Sequence, residues 1–385
     1  MEETNMNNGK RTIVHIIVGL NIGGAELMLK RLIENKKLNF NFIVISLTDF
    51  GALGQDIKNA GIEVIPLHMK NKNNFFPSII NLYKELRRIK PSVVQTWMYH
   101  SDFIGGLLAK LAGVKRIYWN VRNEKYWNAK HTKLRSFINY LFVKSLSLLS
   151  YFIPHKIVHV SKTAQKSHLK FGYSKSKGIV IYNGFDTDKF KRNNITRLEF
   201  RESLKLSPED IAICSVGNYS YQKDHITFIK AIKQALKENK NFKAILVGRD
   251  LDTCNQTLVN EIGEEYMDNF ILLGRRSDVV GILNCADIFC LHSIIEGFPN
   301  VLGEAMSVGL PCVVTKCGDA PFILDDKNYT CEVGDSSAIS EKLLQLSSLT
   351  HEERLKLGDR NRARVIDNYH LSKVLTDYHT LYEAN

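Results

Sequence analysis

Two doubly wound parallel α/β sheets in series are the fold class that the sequence predicts, and three observations predict it. Short apolar runs rich in β-branched residues recur along nearly the whole chain. Helical stretches separate them, as in sheets whose two faces are both covered by helices. A polar stretch near the middle, DKFKRNNITR, divides the runs into two series. With 385 residues, 44% of them hydrophobic and 24% charged, the chain can fill two cores. That excludes a mini-protein, a disordered chain and a fibre.

The first series opens at Thr12–Val18, which enters the glycine loop and helix of GLNIGGAELMLKRLIENK, the helix beginning near Gly24. The runs NFIVISL, IEVIPL, PSVVQTW, KRIYWNV, KIVHVS and KGIVIYNG follow, spaced by helical stretches such as 78–90 and 102–112. The second series starts at DIAICSVGN, with a helix in DHITFIKAIKQALKEN. It continues through FKAILVG, FILLG, ADIFCLHS, LPCVVT and CEVG. The join falls near Asp188–Lys205, giving an N-terminal domain over residues 1–190 and a C-terminal domain over 191–367. Neither series carries a full G-x-G-x-x-G fingerprint, so a nicotinamide-binding domain is disfavoured.

The N-terminus lacks the charged start of a signal peptide, and its first apolar run ends in a glycine turn, so secretion is not expected. All seven cysteines lie in the second half with no C-x-x-C pair; they read as reduced thiols of a cytoplasmic protein. The net charge of +12 is uneven. Residues 1–190 hold 29 Lys+Arg against 12 Asp+Glu, a net +17, and the remainder hold 23 against 28, a net −5. A basic half suits an anionic membrane surface, an anionic substrate or nucleic acid. No helix-turn-helix, zinc finger or RNP-like strand is present, so no nucleic-acid partner is expected.

The strongest local signal is SIIEGFPNVLGEAMSVGLPCVVT, residues 293–315, in which seven residues separate Glu296 from Glu304. Gly297, Phe298, Pro299 and Asn300 open the helix that carries Glu304. Unpaired amides at a helix start bind phosphate or sugar oxygens, and a carboxylate further along can accept hydrogen bonds from ribose hydroxyls. A capped surface helix with two solvated acids is the alternative for the Glu pair alone.

The segment resembles the E-x(7)-E donor-binding motif of family 4 glycosyltransferases. Other landmarks of that family follow in order: GGAE at Gly23–Glu26, YNGFD at Tyr182–Asp186, SVGNYSYQKDH at Ser215–His225, LVG at Leu246–Gly248 and LLGRRSDV at Leu272–Val279. The final DYHTLYE resembles the family's last helix, here over about 368–385, which packs back on the first domain. The resemblance implies the GT-B fold, α/β with two Rossmann-like domains facing across a cleft. It implies a nucleotide-sugar donor in the second domain, UDP being the commoner nucleotide and GDP remaining open, and an acceptor in the first. Glu304 would hold the ribose, Glu296 the sugar's hydroxyls, Phe298, Pro299 and Asn300 would offer backbone contacts, and Lys223 would neutralise the leaving diphosphate. Gly23 and Gly24 would let backbone approach that diphosphate.

Two positions depart from the family pattern. Asn218 stands where an Arg is usual, leaving Arg249, Arg275 and Arg276 to compensate. Asn120 and Arg122 stand where many members place a His, which makes them catalytic candidates; His100 is a candidate on the acceptor side. Two D-x-D patterns, Asp186–Asp188 and Asp250–Asp252, suggest a metal only weakly, because a fixed Lys at the leaving group makes a divalent ion unnecessary. Metal-independent, retaining transfer without a cofactor is expected. The stretch KHTKLRSFINYLFVKSLSLLSYFI, residues 130–153, is too short in its apolar runs to span a bilayer. With Lys130, Lys133, Arg135 and Lys144 it reads equally as a core helix or an interfacial one. The acceptor would be a glycan or a polyprenyl-diphosphate-linked saccharide of surface polysaccharide or lipopolysaccharide synthesis, met at the cytoplasmic membrane face. A nucleotide-sugar epimerase or hydrolase of the same fold, and a silent binding subunit, are the alternatives.

Overall fold

The computed structural model describes residues 10–35, 38–122 and 133–384. It divides into two compact units, Met1–Tyr182 with Leu375–Asn385, and Asn183–Val374. Among the described residues no helix is long and apolar enough to cross a membrane.

In the first unit the strands are β1 (Thr12–Ile17), β2 (Asn41–Ser46), β3 (Glu63–Pro66), β4 (Val93–Trp97), β5 (Arg116–Val121), β6 (Lys156–His159) and β7 (Gly178–Val180). The helices between them are α1 (Gly24–Ile33), α2 (Gly51–Asn59), α3 (Phe75–Ile89), α4 (Tyr99–Leu111), α5 (Lys133–Leu149) and α6 (Lys162–Phe171). All pairs are parallel, in the order β3-β2-β1-β4-β5-β6-β7. Continuous apolar strands such as TIVHII and VVQTW are buried along nearly their whole length because helices cover both faces. Each large aliphatic side chain so buried contributes about 1.5–3 kcal/mol.

The second unit opens with α7 (Asn194–Ser203), β8 (Ile211–Val216), α8 (His225–Glu238), β9 (Phe242–Val247), α9 (Gln256–Ile262), β10 (Phe270–Leu272) and α10 (Val279–Cys285). It continues with β11 (Ile288–Leu291), α11 (Asn300–Val308), β12 (Cys312–Thr315), α12 (Ala320–Leu324), β13 (Thr330–Cys331), α13 (Ser336–Ser348), α14 (His351–Tyr369) and α15 (Leu371–Glu383), the last of which runs on into the first unit. Its parallel sheet has the order β10-β9-β8-β11-β12-β13. Strand order therefore reverses between β1 and β4 in one sheet and between β8 and β11 in the other. Loops at the carboxyl ends of such neighbouring strands diverge and leave a crevice for ligand.

The first unit ends at Tyr182 rather than at residue 190, and Phe185 supplies the reason. Its N–H donates to Tyr369 O at 2.9 Å and its carbonyl accepts from Leu371 N at 2.9 Å. The ring is wholly buried and stacks on Phe298 at 6.0 Å. Gly303 makes room for it, since a Cβ there would lie 2.1 Å from the Phe185 ring. The segment after Tyr182 is thus core of the second unit. The last helix, α15, is shorter than the 368–385 expected, and its Leu375–Glu383 part belongs to the first unit. There Tyr118 Oη donates to Leu381 O at 3.0 Å, and Tyr382 Oη donates to Gln95.

Candidate active site

Lys223 and Glu296 meet at the second unit's reversal point. Lys223 lies on the loop between β8 and α8, and Glu296 on the loop between β11 and α11. Lys223 Nζ is 2.5 Å from Glu296 Oε1, with side-chain exposures of 26% and 13%. Water is therefore largely excluded from the pair, although neither group is sealed. Ser293 Oγ donates to the same Oε1 at 2.8 Å, and Thr315 Oγ1, at the end of β12, donates to Ser293 O at 2.6 Å. The loops after β8 and β11 thereby meet at one carboxylate, and the end of β12 holds the Ser293 main chain beside it.

Glycines let these loops close on one another. A Cβ on Gly217 would sit 3.2 Å from Lys223 Cε, so the lysine shaft lies along that glycine. Gly318, at φ +52°, occupies left-handed backbone, and a Cβ there would be 2.3 Å from Glu296 O. Asp319 N donates to Gly297 O at 3.2 Å. Ser293, Thr315 and Gly318 escaped sequence reasoning; the glycine two residues after the LPCVVTK run was the one signal that a third loop turns there.

The remaining donor-side candidates divide into two groups. Phe298 is buried against Phe185 and Tyr369, which leaves its backbone as the part that can face a ligand. Pro299 caps α11 at extended dihedrals, Asn300 Oδ1 accepts from Asn183 Nδ2, and Glu304 is half-buried on α11. The other group is committed elsewhere. Asn218 Oδ1 accepts from Arg249 N at 3.0 Å, tying the β8 and β9 loops together. Arg249 lies near its neighbour Asp250 and is exposed. Arg276 is paired with Asp278 through Nε and Nη2 at 2.8 and 2.5 Å.

In the first unit, the place expected for a catalytic His is filled and covered. Asn120 is wholly buried and Arg122 is 7% exposed. Asn120 Nδ2 donates to Tyr378 Oη at 3.1 Å, Arg122 Nη1 lies 3.3 Å from Asn120 Oδ1 and 3.4 Å from Tyr378 Oη, and the guanidinium sits 5.4 Å above the Trp97 ring. Helix α15 thus lies over both residues, and Asn120 serves packing here. Arg122 Nη2 is buried with no hydrogen-bond partner among the described residues.

Gly23 also has a local reason. Its φ of −154° is ordinary extended backbone, but a Cβ would lie 2.5 Å from Glu26 Oε2. The glycine makes room for that carboxylate, which sequence reasoning passed over. Burial raises the Glu26 pKa, while its own backbone amide and then Arg122 oppose the rise. Gly24 begins α1 beside it. His100 is exposed at the start of α4 and stacks on Phe142 at 5.1 Å.

The D-x-D carboxylates cap local turns: Asp186 Oδ1 accepts from Asp188 N and Lys189 N, and Asp252 Oδ1 accepts from Cys254 N. Of the basic stretch, Lys130 lies outside the described residues. Arg135 and Lys144 stand exposed on α5.

Comparison with known proteins decides what such a site belongs to. Residues 22–189 match the family described as Glycosyltransferase Family 4, and residues 196–364 match Glycosyl transferases group 1. The chain belongs to the family 4-type glycosyltransferases. This transferase is 25% identical over 318 residues to the Escherichia coli UDP-Gal:alpha-D-GlcNAc-diphosphoundecaprenol alpha-1,3-galactosyltransferase, covering 79% of this chain and 78% of that one. It is 29% identical to the N-acetyl-alpha-D-glucosaminyl L-malate synthase of Bacillus anthracis over 206 residues, about half of each chain (52%). Its fold matches that of Anabaena Alr3699/HepE, crystallised in complex with UDP, at TM-score 0.83 and 17% identity, over 97% of this chain and 100% of that one. The transferase therefore has the two Rossmann-like units of the GT-B class.

Proposed function

We propose that the transferase moves a sugar from a UDP-sugar, with retention of anomeric configuration, to a glycan or polyprenyl-diphosphate-linked saccharide in surface-polysaccharide synthesis. The pairing of Lys223 with Glu296 at the second unit's strand-order reversal, beside the start of α11, carries this reading. A departing nucleoside diphosphate gains negative charge as its bond to the sugar stretches. A preplaced ammonium and helix-end amides then stabilise that charge more in the transition state than in the ground state. Glu296 accepts hydrogen bonds from the sugar's hydroxyls, and Glu304 from the ribose. The sugar C1–O bond to the diphosphate breaks, a bond from C1 to the acceptor oxygen forms on the same face, and the acceptor's hydroxyl proton passes to the departing phosphate oxygen. No protein nucleophile, metal ion or cofactor enters this scheme.

The donor nucleotide and lipid-linked acceptor draw support from the UDP-Gal donor and diphosphoundecaprenol-linked acceptor of the E. coli relative and from the UDP complex of the Anabaena protein. The acceptor is assigned to the first unit, and the site of action to the cytoplasmic membrane face. On that unit α4 lies between α3 and α5. Their outer faces expose Phe76, Ile80, Leu111, Phe137, Leu141 and Leu148, interspersed with basic Arg87, Lys110, Arg135 and Lys144. Apolar groups among cations suit an anionic lipid interface.

A thermal-shift panel of UDP, GDP and their sugars tests the donor. A ligand at about a hundredfold its dissociation constant should stabilise the fold by ~2.7 kcal/mol. NMR of the product's anomeric centre tests retention, and an inverted product would overturn the mechanism. Activity should persist in EDTA; loss restored by magnesium or manganese would refute the metal-free scheme.

A further inference from the structure

One loop holds Lys223 at both ends. Glu296 takes the ammonium, and four residues earlier His292 reaches the main-chain carbonyl of the same lysine, with Nδ1 2.6 Å from Lys223 O. A carbonyl only accepts, so Nδ1 carries the hydrogen. Nε2 is then an acceptor, and Ser215 Oγ at the end of β8 donates to it at 2.7 Å. His292 is 2% exposed, stacks on Phe228 at 4.6 Å and meets His225 edge-on at 5.0 Å. Burial first, then His225, holds its pKa well below the ordinary value, so the ring stays neutral and in one tautomer.

The residue after Lys223 shows why such a brace matters. Asp224 caps α8 from left-handed backbone, φ +52° and ψ +50°, a conformation unfavourable for a side chain with a Cβ. The peptide joining Lys223 to Asp224 is thus turned against local preference, and the surrounding structure must fix it. Lys223 is a long, freely rotating side chain, so the direction of its ammonium depends on where that peptide is held.

We propose that His292, oriented by Ser215, is the positioning residue that fixes the Lys223 main chain and so aims its ammonium at the donor diphosphate. This rests on the role given to Lys223 above. His292 touches no substrate; it acts through the lysine alone.

The test compares substitutions in the whole chain. His292→Asn can keep an N–H close to where Nδ1 stood, whereas His292→Gln and His292→Ala cannot. Gln and Ala should lower kcat about tenfold, as expected for one buried hydrogen bond, with UDP affinity by calorimetry nearly unchanged. Asn should restore most of the loss. Combining His292→Ala with Lys223→Ala should be no worse than Lys223→Ala alone, because a residue acting only through the lysine has nothing left to position. If His292→Ala is too unstable to assay, Ser215→Ala replaces it, with a smaller kcat loss expected that vanishes in the Lys223→Ala background. Unchanged kcat in the assayed variant overturns the proposal, as do losses that add to that of Lys223→Ala or fall equally on UDP binding. Normal turnover by Lys223→Ala alone would instead overturn the role of the lysine itself.

Discussion

In the proposed reading Glu304 meets the ribose hydroxyls and Lys223 the departing charge, so their substitutions should fail differently. Glu304→Ala removes a carboxylate acceptor present in both ground and transition states. Nucleotide binding should weaken by about 1.5–3 kcal/mol, in step with kcat/KM, and calorimetry showing unchanged UDP affinity would remove the assignment. Lys223→Ala removes a cation needed most when the diphosphate departs, so kcat should fall on the order of a hundredfold or more while donor affinity changes far less. Equal losses in both would mean that the ammonium only holds substrate. Their placement, Lys223 on the loop after β8 and Glu304 on α11, was legible in the SVGNYSYQKDH segment and in the spacing of Glu296 and Glu304. Asn218, by contrast, spends its side-chain carbonyl oxygen on the Arg249 amide, and a residue type cannot reveal such a backbone partner. Asn120 and Arg122 were rightly placed at a strand end, yet Tyr378 covers them from a helix more than 250 residues away in sequence. Nothing local to YWNVRNE encodes that burial.

At the scale of elements, the apolar runs marked the strands of both sheets along the chain because a parallel strand buried on two faces must be continuously apolar. The boundary between units was misplaced because the strand pattern stops at Val180 while Phe185 packs onto Tyr369 without belonging to any strand. On helix α5 Val143 and Leu146 face the core, and Phe137, Ile138, Leu141 and Leu148 are exposed, so the core reading holds for one side and the interfacial reading rests on the other. Each Lys or Arg near an anionic surface contributes about 1 kcal/mol, and that contribution shrinks as salt shortens the screening length from ~10 Å at 0.1 M. Flotation with vesicles should therefore show binding that rises with anionic lipid content and falls with salt. Replacing Lys130, Lys133, Arg135 and Lys144 by Gln should weaken it and leave UDP affinity intact, since Lys223, Glu296 and Glu304, the residues proposed to hold the donor, belong to the other unit. Salt-insensitive partitioning, or no binding at low salt, would remove the membrane from the reading.

The whole molecule carries a set of buried histidines whose protonation is linked to folding. Burial lowers the pKa of His15 to about 3 and, with help from His168, that of His159 to about 3; it lowers that of His168 itself to about 4. In the second unit burial and then Lys223 lower that of His225 to about 4, and burial first holds that of His292 well below its ordinary value. Unfolding exposes each ring to its usual pKa near 6.5, so below that pH the unfolded chain takes up protons that the fold refuses. Stability should be fully present above about pH 6.5 and should fall toward pH 4, by about 1.4 kcal/mol per pH unit for each proton taken up. Asp102 acts in the opposite sense. Burial raises its pKa to about 8, against the bond from Thr96 Oγ1, so the fold holds a proton that the unfolded chain releases, and stability declines as pH rises from about 4 through 8. Five histidines outweigh one aspartic acid on the acid side, whereas above pH 6.5 Asp102 acts without their opposition, which places the optimum near pH 6.5–7. Calorimetry across pH 4–8 should show a steep acid limb and a shallow alkaline decline. Asp102→Asn, which keeps an oxygen for Thr96 and cannot ionise, should flatten the alkaline decline and leave the acid limb as it was. A wild-type melting temperature that climbs from pH 6.5 to 8, or a variant with an unchanged alkaline slope, would show that Asp102 ionises in the folded protein after all.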